Sequence, residues 1–180
     1  MSPPPVSDAE PEVAARRATA ADLPALTRLG AVAREVTRDQ RGGALLLDRE
    51  HADRDPEEGW SAALGAPDHV VLAGCIGEVV VGYGVGRVEA LDGAPLAVVE
   101  ALFVEPPARE VGVGRALIDA LVVYAREHGC RGIDARALPG DRDTKNFFES
   151  AGLVTRVLTV HRDLDTDGAP GNDAGPSGPT

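Results

Sequence analysis

Apolar residues recur along this chain at two spacings, a strand-like period of about 2 and a helix-like period of about 3.6. Residues 13–19 read as a first strand. Leu23, Leu26, Leu29 and Val32-Ala33 then share one face of a helix that runs to about Arg38. Thr19 or Asp22 is placed to cap it, and Pro24 suits its first turn. Residues 69–74 and 79–91 read as a second and a third strand, joined by a hairpin turn near Ile76-Gly77-Glu78. Asp92-Gly93 turns the chain into an apolar, β-branched run at 96–104, which Glu105-Pro-Pro107 stops because proline cannot donate to a ladder. Val113, Leu117, Leu121 and Tyr124, with Ala116 and Ala120 beside them, return to helical spacing. Gly129 is placed to end that helix, with Arg126 and His128 in its last turn. A fifth strand over 132–138 leads to a loop, then to a short helix capped by Asp143 or Thr144 and broken at Ala151-Gly152-Leu153. A last strand is expected over 154–162, apolar at Val154, Val157-Leu158 and Val160.

Two stretches depart from this regularity. Residues 39–59 are irregular and charged, with Asp48, Glu50, Asp53, Asp55, Glu57 and Glu58 outnumbering Arg49 and Arg54. Asp55-Pro-Glu-Glu reads as the capped start of a short helix through Trp60 to Leu64. Each acid alone suits a solvated loop; together they suit an acidic lip that attracts an amine. In the third strand, Gly82, Gly84 and Gly86 fall on one face, so a helix or a substrate should lie close against it. The proline-rich residues 1–11 and the Gly/Pro/Asp/Ser-rich residues 165–180 are expected to be disordered, which leaves one domain over 12–164.

Composition narrows the function. The 180 residues suffice for one domain with a sizeable core. No apolar run nears the ~18 residues of a membrane span, so no membrane partner is expected. No basic-plus-apolar leader opens the chain, so a cytoplasmic location is expected. Cys75 and Cys130 read as free thiols, each a small core hydrophobe rather than a nucleophile. The net charge of −11 argues against a nucleic-acid partner and weakly favours cationic small molecules, although Asp8, Glu10, Glu12, Asp163, Asp165, Asp167 and Asp173 fall near the ends. His51, His69 and His161 are scattered without metal-ligand spacing, so no metal is expected.

The chemistry concentrates between Leu96 and Gly129. A strand, a glycine-containing loop and a helix N-terminus make an anion site, because the first helical turn has free N–H groups at the positive end of a dipole. Gly112 and Gly114 lack the Cβ atoms that would hold a phosphate off the backbone, and Arg109 and Arg115 flank them with charge. The stretch reads as a pyrophosphate cradle. It is not a dinucleotide fingerprint, since Leu117 stands where a third glycine belongs, and it has no Gly-Lys-Ser/Thr ending of a nucleoside triphosphate loop.

Arg109-x-x-Gly112-x-Gly114, preceded by Val-x-Pro, resembles the coenzyme A loop of the GNAT superfamily of N-acyltransferases. Asn146-Phe-Phe148-Glu-Ser-Ala-Gly152-Leu153 is similar to the stretch that closes such domains, and Arg17-Ala-Thr-x-x-Asp22 resembles their usual opening. The resemblance implies an α/β (α+β) fold, a mixed, mostly antiparallel sheet of six or seven strands with about four helices and splayed central strands. It implies acetyl-CoA as cosubstrate and an amine acceptor, with a homodimer usual. Leu102, Phe103 and Val104 would bond the pantetheine through backbone groups, and an N–H near Leu102 would polarise the thioester carbonyl. Arg109, Glu110, Val111, Gly112, Val113, Gly114 and Arg115 would hold the pyrophosphate, with Asn146 near the cofactor arm. The amine would attack the thioester directly. Glu100, expected on one strand face with Leu102, resembles the general base of polyamine acetyltransferases; it also suits a partner for an arginine such as Arg87. Phe148 stands beside the cofactor where the family often has a tyrosine to protonate the departing thiolate. Water or Tyr83 would then serve, or the thiolate leaves unassisted, or the chain is a non-catalytic acyl-CoA-binding module. Tyr124 reads as core and His128 as a helix cap.

Overall fold

A computed structural model describes residues 12–49, 56–162 and 164. The expected tails at 1–11 and 165–180 lie outside the described residues, as do Glu50, Asp53 and Asp55 of the expected acidic lip. The elements in order are β1 (Val13–Arg17), α1 (Leu23–Arg38), α2 (Gly43–Arg49), α3 (Pro56–Gly65), β2 (His69–Ile76), β3 (Val79–Glu89), β4 (Leu96–Val104), α4 (Val113–Glu127), β5 (Ile133–Ala135) and α5 (Arg142–Ser150). The strands form one sheet in the order β1-β2-β3-β4-β5, antiparallel except for β5, which runs parallel to β4. The class is the expected mixed one, with five strands and five α-helices among the described residues.

Alternation along the strands builds a core on each face. Val70, Leu72, Val99 and Val104 point to α4, where Val113, Leu117, Ile118 and Leu121 are sealed from solvent. Val71, Ala73, Val85, Tyr83 and Phe103 point the other way and meet Leu26, Leu29 and Ala33 of α1 and Trp60 of α3. Burying each of the large aliphatic side chains is worth about 1.5–3 kcal/mol. The glycine face of β3 meets a helix. Cβ atoms built on Gly84 and Gly86 would lie 3.4 and 2.8 Å from Leu121 of α4. Among the described residues no helix is long and apolar enough to cross a membrane.

Two tertiary features hold the entry to α1. Asp22 is 6% exposed. It accepts from both terminal nitrogens of Arg16 at 2.8 Å and from the Thr19 amide at 2.8 Å, closing a capping box with Thr19 over the 3-10 turn Ala20–Asp22. The Arg16 hydrogen bonds hold the Asp22 carboxyl far below the usual carboxylate range.

Several elements differ from the sequence reading. α2 forms where an irregular stretch was expected. Gly42 (φ +79°) ends the preceding turn, and Gly43 lets the new helix touch the end of α1, where an added Cβ would lie 1.7 Å from the Thr37 carbonyl oxygen. β1 and β3 stop two residues early, and β5 is three residues long rather than seven. α5 is capped by Asp141, which accepts from the Thr144 amide at 3.0 Å, and not by Asp143 or Thr144. No strand forms over 154–162: Val154, Val157, Leu158 and Val160 stay 67–94% exposed, and Arg156 ties the segment to Asp134 of β5 through a side-chain ion pair. β-branched composition favours a pleated surface but supplies no ladder, and among the described residues no strand pairs with this segment.

Two stability measurements test this packing. A Cβ on Gly82 would lie 2.7 Å from the Phe103 carbonyl oxygen, a backbone atom, whereas one on Gly84 meets only side-chain carbons at ordinary contact. Gly82→Ala should therefore cost about 1–3 kcal/mol in urea unfolding and Gly84→Ala much less; equal losses would contradict the geometry. Asp22→Ala should cost about 1.5–3 kcal/mol at neutral pH, the worth of charge-assisted hydrogen bonds. Because folding depresses the Asp22 carboxyl, its contribution is full above the unfolded value of about 3.9 and is lost as pH falls below it. The stability gap between wild type and Asp22→Ala should close on acidification, read from urea midpoints at stepped pH.

Candidate active site

The site begins where the sheet opens. β4 pairs with β3 along its length, from Leu96↔Glu89 to Val104↔Gly82. On its other edge it pairs with β5 only at Ala97, Val98 and Val99. From Ala101 to Val104 that edge bears no strand among the described residues. Its backbone groups are left for another partner, as a buried ladder edge requires. One is taken from within the chain: Arg109 Nε donates to the Val104 carbonyl oxygen at 3.1 Å, with its guanidinium carbon 6.0 Å from the Phe103 ring centre.

The loop after β4 brings a helix start to this opening. The Glu105 amide donates to the Val81 carbonyl oxygen at 3.0 Å, and Arg28 of α1 bonds the Glu105 carboxylate at 2.7 Å. The 3-10 turn Pro106–Ala108 follows, then Glu110 and Gly112 in left-handed conformations (φ +69° and +99°). Gly112 precedes α4, and the first bond of that helix runs from the Ala116 amide to the Gly112 carbonyl oxygen at 2.9 Å. The amides of Val113, Gly114 and Arg115 thus have no acceptor within the helix. A Cβ on Gly112 would have only Val13 within reach, at 4.0 Å, so the loop faces open space there. Val113 itself is fully buried beneath the turn, while Glu110 and Val111 are exposed. These features suit a diphosphate: free amides, a dipole end and open backbone.

The flanking residues split. Arg115 is tied down at one side, with Nε to Asp119 at 2.9 Å and Nη1 to the Ser150 carbonyl oxygen at 3.3 Å. A Cβ on Gly114 would lie 3.2 Å from Phe147 of α5, so Phe147 lines the helix start and was missed by sequence reasoning, although it sits between Asn146 and Phe148. Asn146 is exposed on α5, and Phe148 points into the α4-side core at 9% exposure. Phe148 therefore supports the wall of the site from behind.

A bulge in β4 sets the chemistry beside the opening. Val85 pairs with Ala101 and Gly86 with Val99, so Glu100 is the extra residue. The bulge puts Val99 and Leu102 together on the α4 face and Ala101 and Phe103 on the other. Glu100 does not share the Leu102 face as expected. It reaches Arg87 and His69, register partners on β3 and β2 whose alternation places them on the α1 face. Glu100 Oε1 accepts from Arg87 Nε at 2.9 Å, and Oε2 lies 3.4 Å from His69 Nε2. The Glu100 hydrogen bond raises the Arg87 guanidinium above its ordinary value. His69 Nδ1 lies 2.9 Å from Asp68 Oδ1, and that contact lowers the Asp68 carboxyl below its usual range. The alternative of an arginine partner for Glu100 is thus present in the fold. His69, set aside as scattered, joins the cluster, because only strand pairing brings it opposite Arg87.

Tyr83 lies deeper. It is 5% exposed, edge-on to Trp60 at 4.9 Å and 6.0 Å from Phe103, its register partner on β4. Tyr124 is buried and its hydroxyl donates to the Asp68 carbonyl oxygen at 3.2 Å. His128 Nδ1 lies 2.8 Å from the Tyr124 carbonyl oxygen at the end of α4, the cap its position suggested.

A family model described as "Acetyltransferase (GNAT) family" matches residues 34–153. Solved structures share the fold at low identity. An aminoglycoside N-acetyltransferase, AAC(6')-Iy, in complex with CoA superposes with a TM-score of 0.68 at 16% identity, over 88% of this chain and 99% of that one. An aminoglycoside acetyltransferase from an uncultured soil metagenomic sample, in complex with sisomicin, gives 0.64 at 21%, over 84% and 96%. A transcriptional regulator from Bacillus halodurans C-125 gives 0.64 at 20%, over 84% and 100%. No curated protein matches the sequence.

Proposed function

The chain belongs to the GNAT acetyltransferase family, and from that premise we propose that it transfers an acetyl group from acetyl-CoA to a primary amine by direct attack. The observation that supports this most is the coincidence of an unpaired β4 edge at Ala101–Val104 with the free amides at the start of α4. Bound there, acetyl-CoA supplies an activated thioester. The chain's own groups then have distinct tasks. Amides of Val113 to Arg115 receive the diphosphate, and the exposed edge of β4 receives the amide-bearing arm. A β4 amide near Leu102 polarises the carbonyl, a role that preorganised donors perform without reorganisation. A lysine-like ammonium, with a pKa of about 10.4, must lose a proton before attack. Glu100, one residue from the opening, accepts it directly or through water.

Phe148 has no hydroxyl and is turned into the core, so the residue that matches the family's tyrosine has no proton to give. That observation favours a second reading, an acyl-CoA-binding module without turnover. Thiol release from acetyl-CoA against a panel of polyamines, aminoglycosides and lysine peptides distinguishes the two. We expect turnover with at least one amine, abolished by Glu100→Gln with cofactor affinity retained; measured CoA binding with no turnover on any amine would leave the module. The cradle has its own check. CoA at 100 times its Kd should stabilise the wild type by about 2.7 kcal/mol. Gly112→Glu, which adds a carboxylate at a left-handed position, should weaken CoA at least about tenfold, or 1.4 kcal/mol, by calorimetry.

A further inference from the structure

His69 lies between two carboxylates, one beside the opening in the sheet and one facing solvent. Its Nε2 is 3.4 Å from Glu100 Oε2, and its Nδ1 is 2.9 Å from Asp68 Oδ1. His69 is the most buried of the three at 22%, between Glu100 at 34% and the solvent-facing Asp68 at 54%. The other Glu100 oxygen is engaged by Arg87, so the proton it gathers has one side-chain route away from the site. An ionised carboxylate only accepts hydrogen bonds. Both ring nitrogens face a carboxylate, but the contact with Asp68 at 2.9 Å is within hydrogen-bond reach and the one with Glu100 is longer at 3.4 Å. Asp68 therefore selects the Nδ1–H tautomer and leaves Nε2 bare toward Glu100.

We infer that His69 is a positioning and relay residue, which takes from Glu100 the proton removed from the amine and passes it to solvent, with Asp68 fixing the ring in the accepting tautomer. The inference rests on the base role proposed for Glu100. The steps balance. The ammonium N–H bond breaks and an O–H bond forms on Glu100. That proton moves to His69 Nε2, which restores the Glu100 carboxylate and makes an imidazolium beside Asp68. The imidazolium releases a proton to water, and the Asp68 contact favours retention of the one on Nδ1. The charged groups around the ring are Asp68 on the turn before β2, Glu100 on β4, and Arg87 with Glu89 on β3.

The test has two independent arms on the full chain. Nitrogen-15 shifts of labelled histidine should show neutral His69 as the Nδ1–H tautomer in the wild type and as Nε2–H in Asp68→Ala; Nε2–H in the wild type would overturn the inference. In turnover assays, His69→Gln should lower kcat on the order of a hundredfold, the low end for a positioned proton-transfer group, with KM for acetyl-CoA unchanged. The pH–rate profile should lose an inflection, and added imidazole should restore His69→Ala. Normal kcat in His69→Gln, or no rescue by imidazole, would overturn the relay while leaving acetyl transfer intact. A wild type that acylates no amine would instead remove the base role of Glu100, an outcome the tautomer arm cannot imitate. If the His69 variants do not fold, the tautomer of the wild type still decides.

Discussion

The early parting of β5 from β4 is the constraint on which the site depends. Three register pairs join the two strands, and then β4 continues to Val104 paired with β3 alone among the described residues. Backbone amides and carbonyls inside a protein must find partners, so an edge left open between two packed layers is a demand for a ligand with its own amides. The same opening admits the first turn of α4, whose unpaired N–H groups ask for an anion. A single molecule with an amide-bearing arm and a diphosphate meets both demands.

The two faces of the sheet divide the labour. The α4 face is the more completely apolar, and glycines on β2 and β3 let α4 press close enough to hold its N-terminus against the opening. The α1 face carries the polar cluster. Glu100, next after Val99, alternates onto that face, and the extra residue in β4 keeps Ala101 on the same side and returns Leu102 to the α4 face. Without the bulge, strict alternation would put Glu100 and Leu102 on one face. A local backbone irregularity thus separates Glu100 from Leu102, consistent with the use of bulges to re-aim side chains.

Phe147 and Phe148 show how adjacent residues on a helix serve different ends. Phe147 packs over Gly114 at the mouth of the site, while Phe148 fills the core behind it. The fold keeps aromatic rings on both sides of this turn, and neither carries a hydroxyl. Any proton for a departing thiolate would then come from water or from another part of the chain.

Much of this was legible in the amino-acid order. The apolar spacing of Val113, Leu117, Leu121 and Tyr124 located α4, the Glu105-Pro-Pro107 stop bounded β4, and Gly112 marked the turn into α4, because each signal arises from neighbours within a turn or two. α2 was missed because Gly43 has meaning only against the Thr37 carbonyl of another helix, and the strand over 154–162 was overcalled because composition gives propensity without a partner. Chain order by itself therefore determined the helix and strand periods and the glycine-containing loop at the start of α4. Only the tertiary structure decided where the sheet splits, which face Glu100 takes and that His69 and Asp68 stand beside it, since each depends on register between strands far apart in sequence.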